Sequence, residues 1–363
     1  METVAATPAA DASPSAPLAG SSTLAGPSIE TLETILDVTY TWGYQETRQK
    51  LRDLYDKAVR AQWISDDVLP WKTDVDLARP TTPEPLMPLF GSDIYNRMSP
   101  KERHTVNVET FAWTLSQFLH GEQGALLATA QLVPSVQDLD SKLYAASQVV
   151  DEARHVDVYN RYLHTKIGFS YPINPHLKTL LDMILKDSRW DMKFLGMQIM
   201  VEGLALAAFG MIRQNTEEPL LKELTSYVIG DEARHVAFGI LSLRDYYRDQ
   251  PESVRHERED FVYEAARLMR DRFLFQEVWE KMGLPAKQCM DIALHNQGQI
   301  MFRQMLFAKI VPAIKKLGLL SERQRVRFAE LGILQFEDWV DPFEDLQNQS
   351  PVGGVSARLA PTA

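Results

Sequence analysis

The chain has 363 residues, 45% hydrophobic and 24% charged, with a formal net charge of −11. That is ample for a large buried core, while the acidic balance and the lack of a basic stripe exclude nucleic acid as an expected partner. A single cysteine, Cys289, excludes an internal disulfide framework and a cysteine-based zinc or iron–sulfur site, and it suits a cytoplasmic location.

Residues 1–28 are rich in Ala, Pro, Ser and Thr and contain no Lys or Arg. Lacking both the basic start and the apolar core of a signal peptide, they read as a disordered arm. Residues 29–100 read as an N-terminal helical and proline-rich wrapping segment. Ser28 is expected to cap a helix over the stretch that follows it. The proline-broken part beyond Leu69 carries Trp71, Leu86, Leu89 and Phe90, apolar groups that suit a connection laid over a core.

From Ser99-Pro100 onward the pattern predicts helices at about 101–133, 138–167, 175–214, 217–249, 251–282 and 286–317, with a shorter one near 321–333. Pro134-Ser135, the segment Gly168 to Pro175, Asn215-Thr216, Pro251 and Pro285 mark the breaks. No period-2 alternation predicts a strand, and no run reaches the roughly 20 apolar residues of a transmembrane helix. The apolar run 299–320 has the basic residues and period of a packed amphipathic helix. The expected fold class is all-α. Long helices with short links make a bundle with antiparallel neighbours, here a core over 101–250, C-terminal helices over 251–335 packed on it, and a tail over 336–363.

One string occurs twice. Asp151-Glu-Ala-Arg-His155 is repeated as Asp231-Glu-Ala-Arg-His235. Positions i and i+3 share a helix face, so Glu152 with His155, and Glu232 with His235, each project a carboxylate and an imidazole together. A further glutamate stands 30 residues upstream in each half: Glu122 before Glu152, and Glu202 before Glu232. Glu202 lies among Ile199, Met200, Val201, Leu204, Ala205 and Leu206, where a lone charge costs several kcal/mol unless a cation compensates it. Four carboxylates and two imidazoles balance two divalent ions, and hard oxygen donors with one imidazole per ion suit iron or manganese better than zinc.

These six residues, in this order and spacing, resemble the ferritin-like di-iron carboxylate superfamily over roughly residues 101–250. The resemblance implies a ferritin-like four-helix bundle with additional flanking helices. The paired Glu-x-x-His motifs are similar to those of its oxygen-activating branch, which includes monooxygenase hydroxylases, acyl carrier desaturases and ribonucleotide reductase small subunits. By that resemblance Glu122, Glu152, His155, Glu202, Glu232 and His235 hold two iron ions, or a manganese–iron pair, with O₂ as co-substrate. An external electron donor, an electron-transfer protein, a small organic substrate and a homodimer are implied in the same way. The resemblance further implies that Asp231 with Arg154, and Asp151 with Arg234, pair across the bundle and hold His155 and His235; the alternative is four surface residues in local pairs.

The expected activity is hydroxylation, desaturation or N-oxidation of the organic substrate. Two other readings stay open: a ferroxidase or peroxide scavenger without an organic substrate, and a radical-generating small subunit. Tyr159, four residues after His155, resembles the radical tyrosine of the latter, although a core or pocket tyrosine is the plainer reading. The terminal "QNQSPVGGVSARLAPTA" lacks the aromatic relay residue such a subunit carries. Leu206 stands where many hydroxylases of this kind carry a threonine. Val228 stands where arylamine N-oxygenases carry a seventh ligand, a histidine, which weighs against that subgroup. The remaining histidines, His104, His120, His164, His176, His256 and His295, are expected to be ordinary polar residues.

Overall fold

The computed structural model describes residues 29–340. The expected arm over 1–28, with Ser28, and the chain beyond 340 lie outside them. Among the described residues there is no β-strand. The principal helices are α1 (Gln49–Arg60), α2 (Pro100–Ser135), α3 (Leu139–Tyr162), α4 (Pro175–Lys186), α5 (Trp190–Asn215), α6 (Pro219–Arg248) and α7 (Glu252–Asp271). The shorter helices α8 (Gln276–Lys281), α9 (Ala286–His295), α10 (Gln297–Met305), α11 (Ile310–Lys316) and α12 (Glu322–Glu330) follow.

Helices α2, α3, α5 and α6 form the central bundle, with α2 packed along α3 and α5 along α6. Both ends of α2 are chemically fixed. At the start of α2, Ser99 Oγ accepts from the Glu102 amide and the Glu102 carboxylate accepts from the Ser99 amide, a reciprocal cap. α2 runs two residues further than expected, with Pro134 inside its last turn. The carbonyls it leaves open there are met by Lys142 Nζ (3.0 Å to Val133 O, 3.2 Å to Pro134 O) and by the Thr39 amide (2.9 Å to Pro134 O). Trp190–Asn215 is apolar enough to cross a membrane by length and composition, but 72% of its most apolar stretch is buried in the protein, as befits a central core helix.

The structure differs from the sequence expectation at several breaks, each with a local or tertiary cause. No helix covers residues 29–48; α1 begins at Gln49. Its start is set from afar, because Asp140 Oδ2 accepts from both the Thr47 and Arg48 amides at 2.9 Å. The expected helix 175–214 is interrupted between α4 and α5, where the Asp187 carboxylate accepts from the Arg189 amide (2.9 Å) and Lys193 Nζ reaches back to Ile184 O and Leu185 O. The expected helix 251–282 breaks at Phe275, which takes a left-handed conformation (φ 57°) after a tight turn over Arg272–Leu274. The expected helix 286–317 is cut at Asn296, whose side chain caps α10 through the Gln299 amide at 3.1 Å, and again over residues 306–309. In the wrapping segment Leu89 is buried and Trp71 and Leu86 are half-buried, whereas Phe90 is exposed.

Candidate metal centre

Two helical distortions lie beside the motifs. α3 continues past Tyr162 into a wide π-turn over Leu163–Ile167, and within α5 a π-helical stretch, Leu195–Val201, leads directly into Glu202. Such wide turns shift the helical phase by a fraction of a turn and so re-aim the side chains beyond them.

The bundle brings Glu122 (α2), Glu152 and His155 (α3), Glu202 (α5), and Glu232 and His235 (α6) together in its interior, with no one of them more than 5% exposed. Their potential ligand atoms form two groups, each within 4.8 Å mutually: Glu122, Glu152, His155 and Glu232 in one, and Glu152, Glu202 and His235 in the other. Glu152 is common to both. His155 Nδ1 lies 3.3 Å from Glu122, 3.5 Å from Glu152 and 3.2 Å from Glu232; His235 Nδ1 lies 3.1 Å from Glu152 and 3.7 Å from Glu232. The two rings are 5.9 Å apart.

Each imidazole thus turns Nδ1 toward the carboxylates and Nε2 toward an aspartate. His155 Nε2 is 3.2 Å from Asp231 and His235 Nε2 is 3.3 Å from Asp151. An aspartate on Nε2 favours the tautomer protonated there and leaves Nδ1 as a lone-pair donor, the state a metal requires. The aspartates are themselves held. Asp231 accepts from Arg154 (3.1 Å), from the Trp63 indole (2.8 Å) and from Arg234. Asp151 accepts from Arg154 (2.5 Å) and from the Gln62 amide (2.7 Å). The cross-bundle pair Asp231–Arg154 is therefore present. The pair Asp151–Arg234 is not formed: Arg234 turns to Asp231 on its own helix, and Gln62 on the segment after α1 takes its place. Trp63 also stacks under Arg154, 4.5 Å from the guanidinium carbon to the ring centroid.

Electrostatics describes a set of donors short of positive charge. Burial, reinforced by Glu232 and Glu152, pushes the Glu122 carboxyl up to about 8. Burial with Glu152 and Glu232 pushes Glu202 well above the carboxylate range. Against burial, His235 and His155 hold Glu152 well below it. Both imidazoles rise well above their ordinary value; burial opposes this, but Glu122 and Asp231 prevail at His155, and Glu152 and Glu232 at His235. Glu152 Oε2, Glu202 Oε2, both oxygens of Glu232 and His235 Nδ1 are sealed from solvent without a hydrogen-bond partner. Buried polar atoms are seldom left so, and a cluster of carboxylate oxygens and imidazole nitrogen in this state fits a pair of cations.

Three contributors carried no motif: Gln62, Trp63 and Gln148. Gln148 Nε2 donates to both Glu152 and Glu202 at 2.9 Å, bridging two helices. Its place one turn before Glu152 was the available signal. Tyr159 is fully buried, its hydroxyl has no partner, and its ring stacks on Phe209 at 5.6 Å. Burial, then the Glu122 carboxylate, raises its pKa well above the ordinary phenol. Among the other histidines, His120 Nε2 bonds to Tyr171 O at 2.9 Å, and His164 and His295 bond to backbone carbonyls of their own helices.

One cavity borders the centre, and a second shares the Phe118 ring with it. A small one of about 20 Å³ is bordered by Glu122, Glu202, Glu232, Phe118, Phe209 and Arg272. A larger one of about 400 Å³ is lined by apolar groups such as Phe111, Phe275, Phe302 and Met305, with no charged side chain on its wall. Phe118 borders both.

Residues 44–318 match the family model described as "P-aminobenzoate N-oxygenase AurF". This corrects the expectation drawn from Val228: its lack of a histidine does not place the chain outside that family, and in the structure Val228 is a fully buried core residue. No curated protein matches the chain. Among solved structures, a point mutant of an R2-like ligand-binding oxidase with an anaerobically reconstituted Mn/Fe cofactor is similar at 17% identity, TM-score 0.48, covering 74% of this chain and 93% of its own. Another, with an aerobically reconstituted Mn/Fe cofactor, is similar at 18% identity, TM-score 0.44, covering 75% and 93%. The chain belongs to the AurF p-aminobenzoate N-oxygenase family, and with it to the oxygen-activating di-iron oxidoreductases of the ferritin-like superfamily.

Proposed function

We propose that Glu122, Glu152, His155, Glu202, Glu232 and His235 hold two iron ions, and that the enzyme N-oxidises an aromatic amine. The observation that carries the assignment is the convergence of these six side chains, several with unpartnered buried atoms, into two groups sharing Glu152. When bound, the iron pair supplies the electrons and Lewis acidity that activate O₂, and an external donor restores the electrons. Written for one cycle, R–NH₂ + O₂ + 2e⁻ + 2H⁺ gives R–NHOH + H₂O.

The chain's own groups do the rest. Four carboxylates match the charge of two divalent cations in a dry interior. Asp231 and Asp151 fix the imidazole tautomers, and Arg154, Gln62 and Trp63 fix the aspartates. Phe118, Phe209, Val201 and Ala205 line the space beside Glu202 and exclude bulk water from the reacting amine. The apolar cavity of about 400 Å³ favours an organic substrate over iron storage or peroxide scavenging, which need no such chamber. Tyr159 lacks any hydrogen-bonded proton acceptor, so a pocket role suits it better than a radical one.

In this reading residues 101–250 are the metal-bearing unit, 251–335 the helices packed on it and 29–100 its wrapping. Electrons arrive from a carrier protein, and the enzyme works as a homodimer in the cytoplasm, a reducing compartment in which its one buried cysteine stays a thiol. The test is iron-loaded protein with a reductant, an arylamine and ¹⁸O₂. Labelled hydroxylamine or nitro product at two irons per chain supports the reading. Oxygen consumption that only mineralises iron refutes it.

A further inference from the structure

Helix α10 is a wall between two cavities. On one face Met301, Phe302 and Met305 line the larger apolar chamber. On the other, Ile300, Arg303 and Gln304 line a separate cavity of about 160 Å³, which shares no residue with that chamber or with the small cavity at the metal centre. Steps of three and four residues keep each set on its own face. Phe307, with Leu331 and Ile333 just after α12, completes an apolar lining, and Leu294 near the end of α9 stands at its mouth, 36% exposed.

The charge on this wall is unbalanced. Two arginines border the cavity, Arg270 from α7 and Arg303 from α10, and among the described residues no carboxylate does. Asp271 answers one of them, its Oδ1 accepting from Arg270 Nε at 2.6 Å. Arg303 is 5% exposed and donates only to neutral carbonyls, Ala293 O at 2.9 Å and Leu294 O at 2.6 Å. Those bonds occupy two of the five N–H groups a guanidinium carries. Burial, then the neighbouring Arg270, lowers the Arg303 pKa to about 10, against the pull of Asp271. Two cations with one counter-ion leave a positive charge uncompensated in a largely dry recess, which an entering anion relieves.

We propose that this cavity is a second ligand site, remote from the metal centre, which takes a small monocarboxylic acid with an apolar body of about one ring. Its carboxylate meets Arg270 and Arg303, and its body lies against Ile300, Phe307, Leu331 and Ile333. The size follows from the volume, since a cavity of about 150 Å³ holds a benzene-sized group. The class follows from the wall. Inorganic phosphate would satisfy the arginines and leave the apolar lining unfilled, a neutral hydrocarbon would do the reverse, and a planar guanidinium matches a carboxylate in paired hydrogen bonds. The site stands independently of the N-oxygenase reading. Because α10 lines the larger chamber with its opposite face, a ligand here also restrains a wall of that chamber.

The experiment titrates the full-length, iron-loaded protein under nitrogen with cyclohexanecarboxylate, cyclohexanecarboxamide and inorganic phosphate by calorimetry, and maps the bound acid by amide hydrogen exchange. The acid binds at least tenfold more tightly than the amide or phosphate. It slows exchange over α10 and over 331–333, where Leu331 and Ile333 border this cavity and neither of the others. Arg270→Gln, at a side chain 35% exposed, weakens the acid at least tenfold, the scale of a hydrogen bond to a charged group, and the amide little. Leu294→Trp closes the mouth and abolishes binding of both. Arg303 also caps α9 and its removal can unfold the end of that helix, so the Arg270 and Leu294 variants decide. Undetectable binding, equal affinity for acid and amide, or phosphate bound as tightly as the acid overturns the proposal. So does binding that survives both variants, or protection that omits 331–333, since either places the acid in the chamber or at the metal centre instead.

Discussion

Loading the proposed centre with two ferrous ions should expel protons near pH 7, about one of them from Glu122. The count comes from the metal-free cluster. Burial raises Glu122 to about 8, so it is protonated at neutral pH, and pushes Glu202 the same way, well above the carboxylate range. The surrounding carboxylates favour the cationic form of His155 and His235, raising both well above their ordinary value. Glu152 is held ionised and contributes none. Ligation needs ionised carboxylates and neutral imidazoles, so metal competes with protons, and affinity falls as pH falls. Each proton displaced adds about one decade per pH unit to the overall constant for two ions. As pH passes about 8, Glu122 gives up its proton unaided and the count drops by about one. The assay is anaerobic Fe(II) calorimetry in buffers of different ionisation enthalpy, at pH 6.5, 7.5 and 8.5. Absence of proton release at pH 7 would refute the reasoning, because the unloaded cluster would then not be holding protons in place of cations.

Asp231→Asn weakens the acceptor for His155 Nε2–H and for Arg154, so metal affinity should fall about 10- to 100-fold by chelator competition; unchanged affinity contradicts a supporting role. Gln148→Leu removes a donor shared by Glu152 and Glu202, so the metal-free protein should lose about 1–3 kcal/mol in denaturant titrations. Iron loading should recover part of that loss, because cations then engage the same carboxylates; an equal loss with and without iron counts against the bridge. Gly239→Ala places a methyl 2.8 Å from Gln198 Cβ and 3.0 Å from Ile199 Cδ1, so it should destabilise the protein by about 1–3 kcal/mol in the same titration, and a neutral result would show that α5 and α6 pack less closely.

The sequence by itself determined what depends on helical periodicity. Glu152 with His155, and Glu232 with His235, share a face because 3.6 residues make a turn, and this holds before any helix meets another. The interior position of Glu202 was legible for a similar reason, since its apolar neighbours leave a carboxylate no exposed face. The equal spacing of Glu122 and Glu202 ahead of the two motifs singled both out as candidates.

Only the tertiary structure decided which distant groups complete the arrangement. Asp140 sets the start of α1 from about 90 residues away. Gln62 rather than Arg234 engages Asp151, and Trp63 supports Asp231, because the segment after α1 lies across α3 and α6. The turn at Phe275, and with it the burial of Arg272, is legible in no short-range pattern. Periodicity dictates which side chains leave one helix together. What they meet depends on contacts between remote segments, whose geometry is fixed when the bundle closes and its buried polar atoms find partners or are left without them.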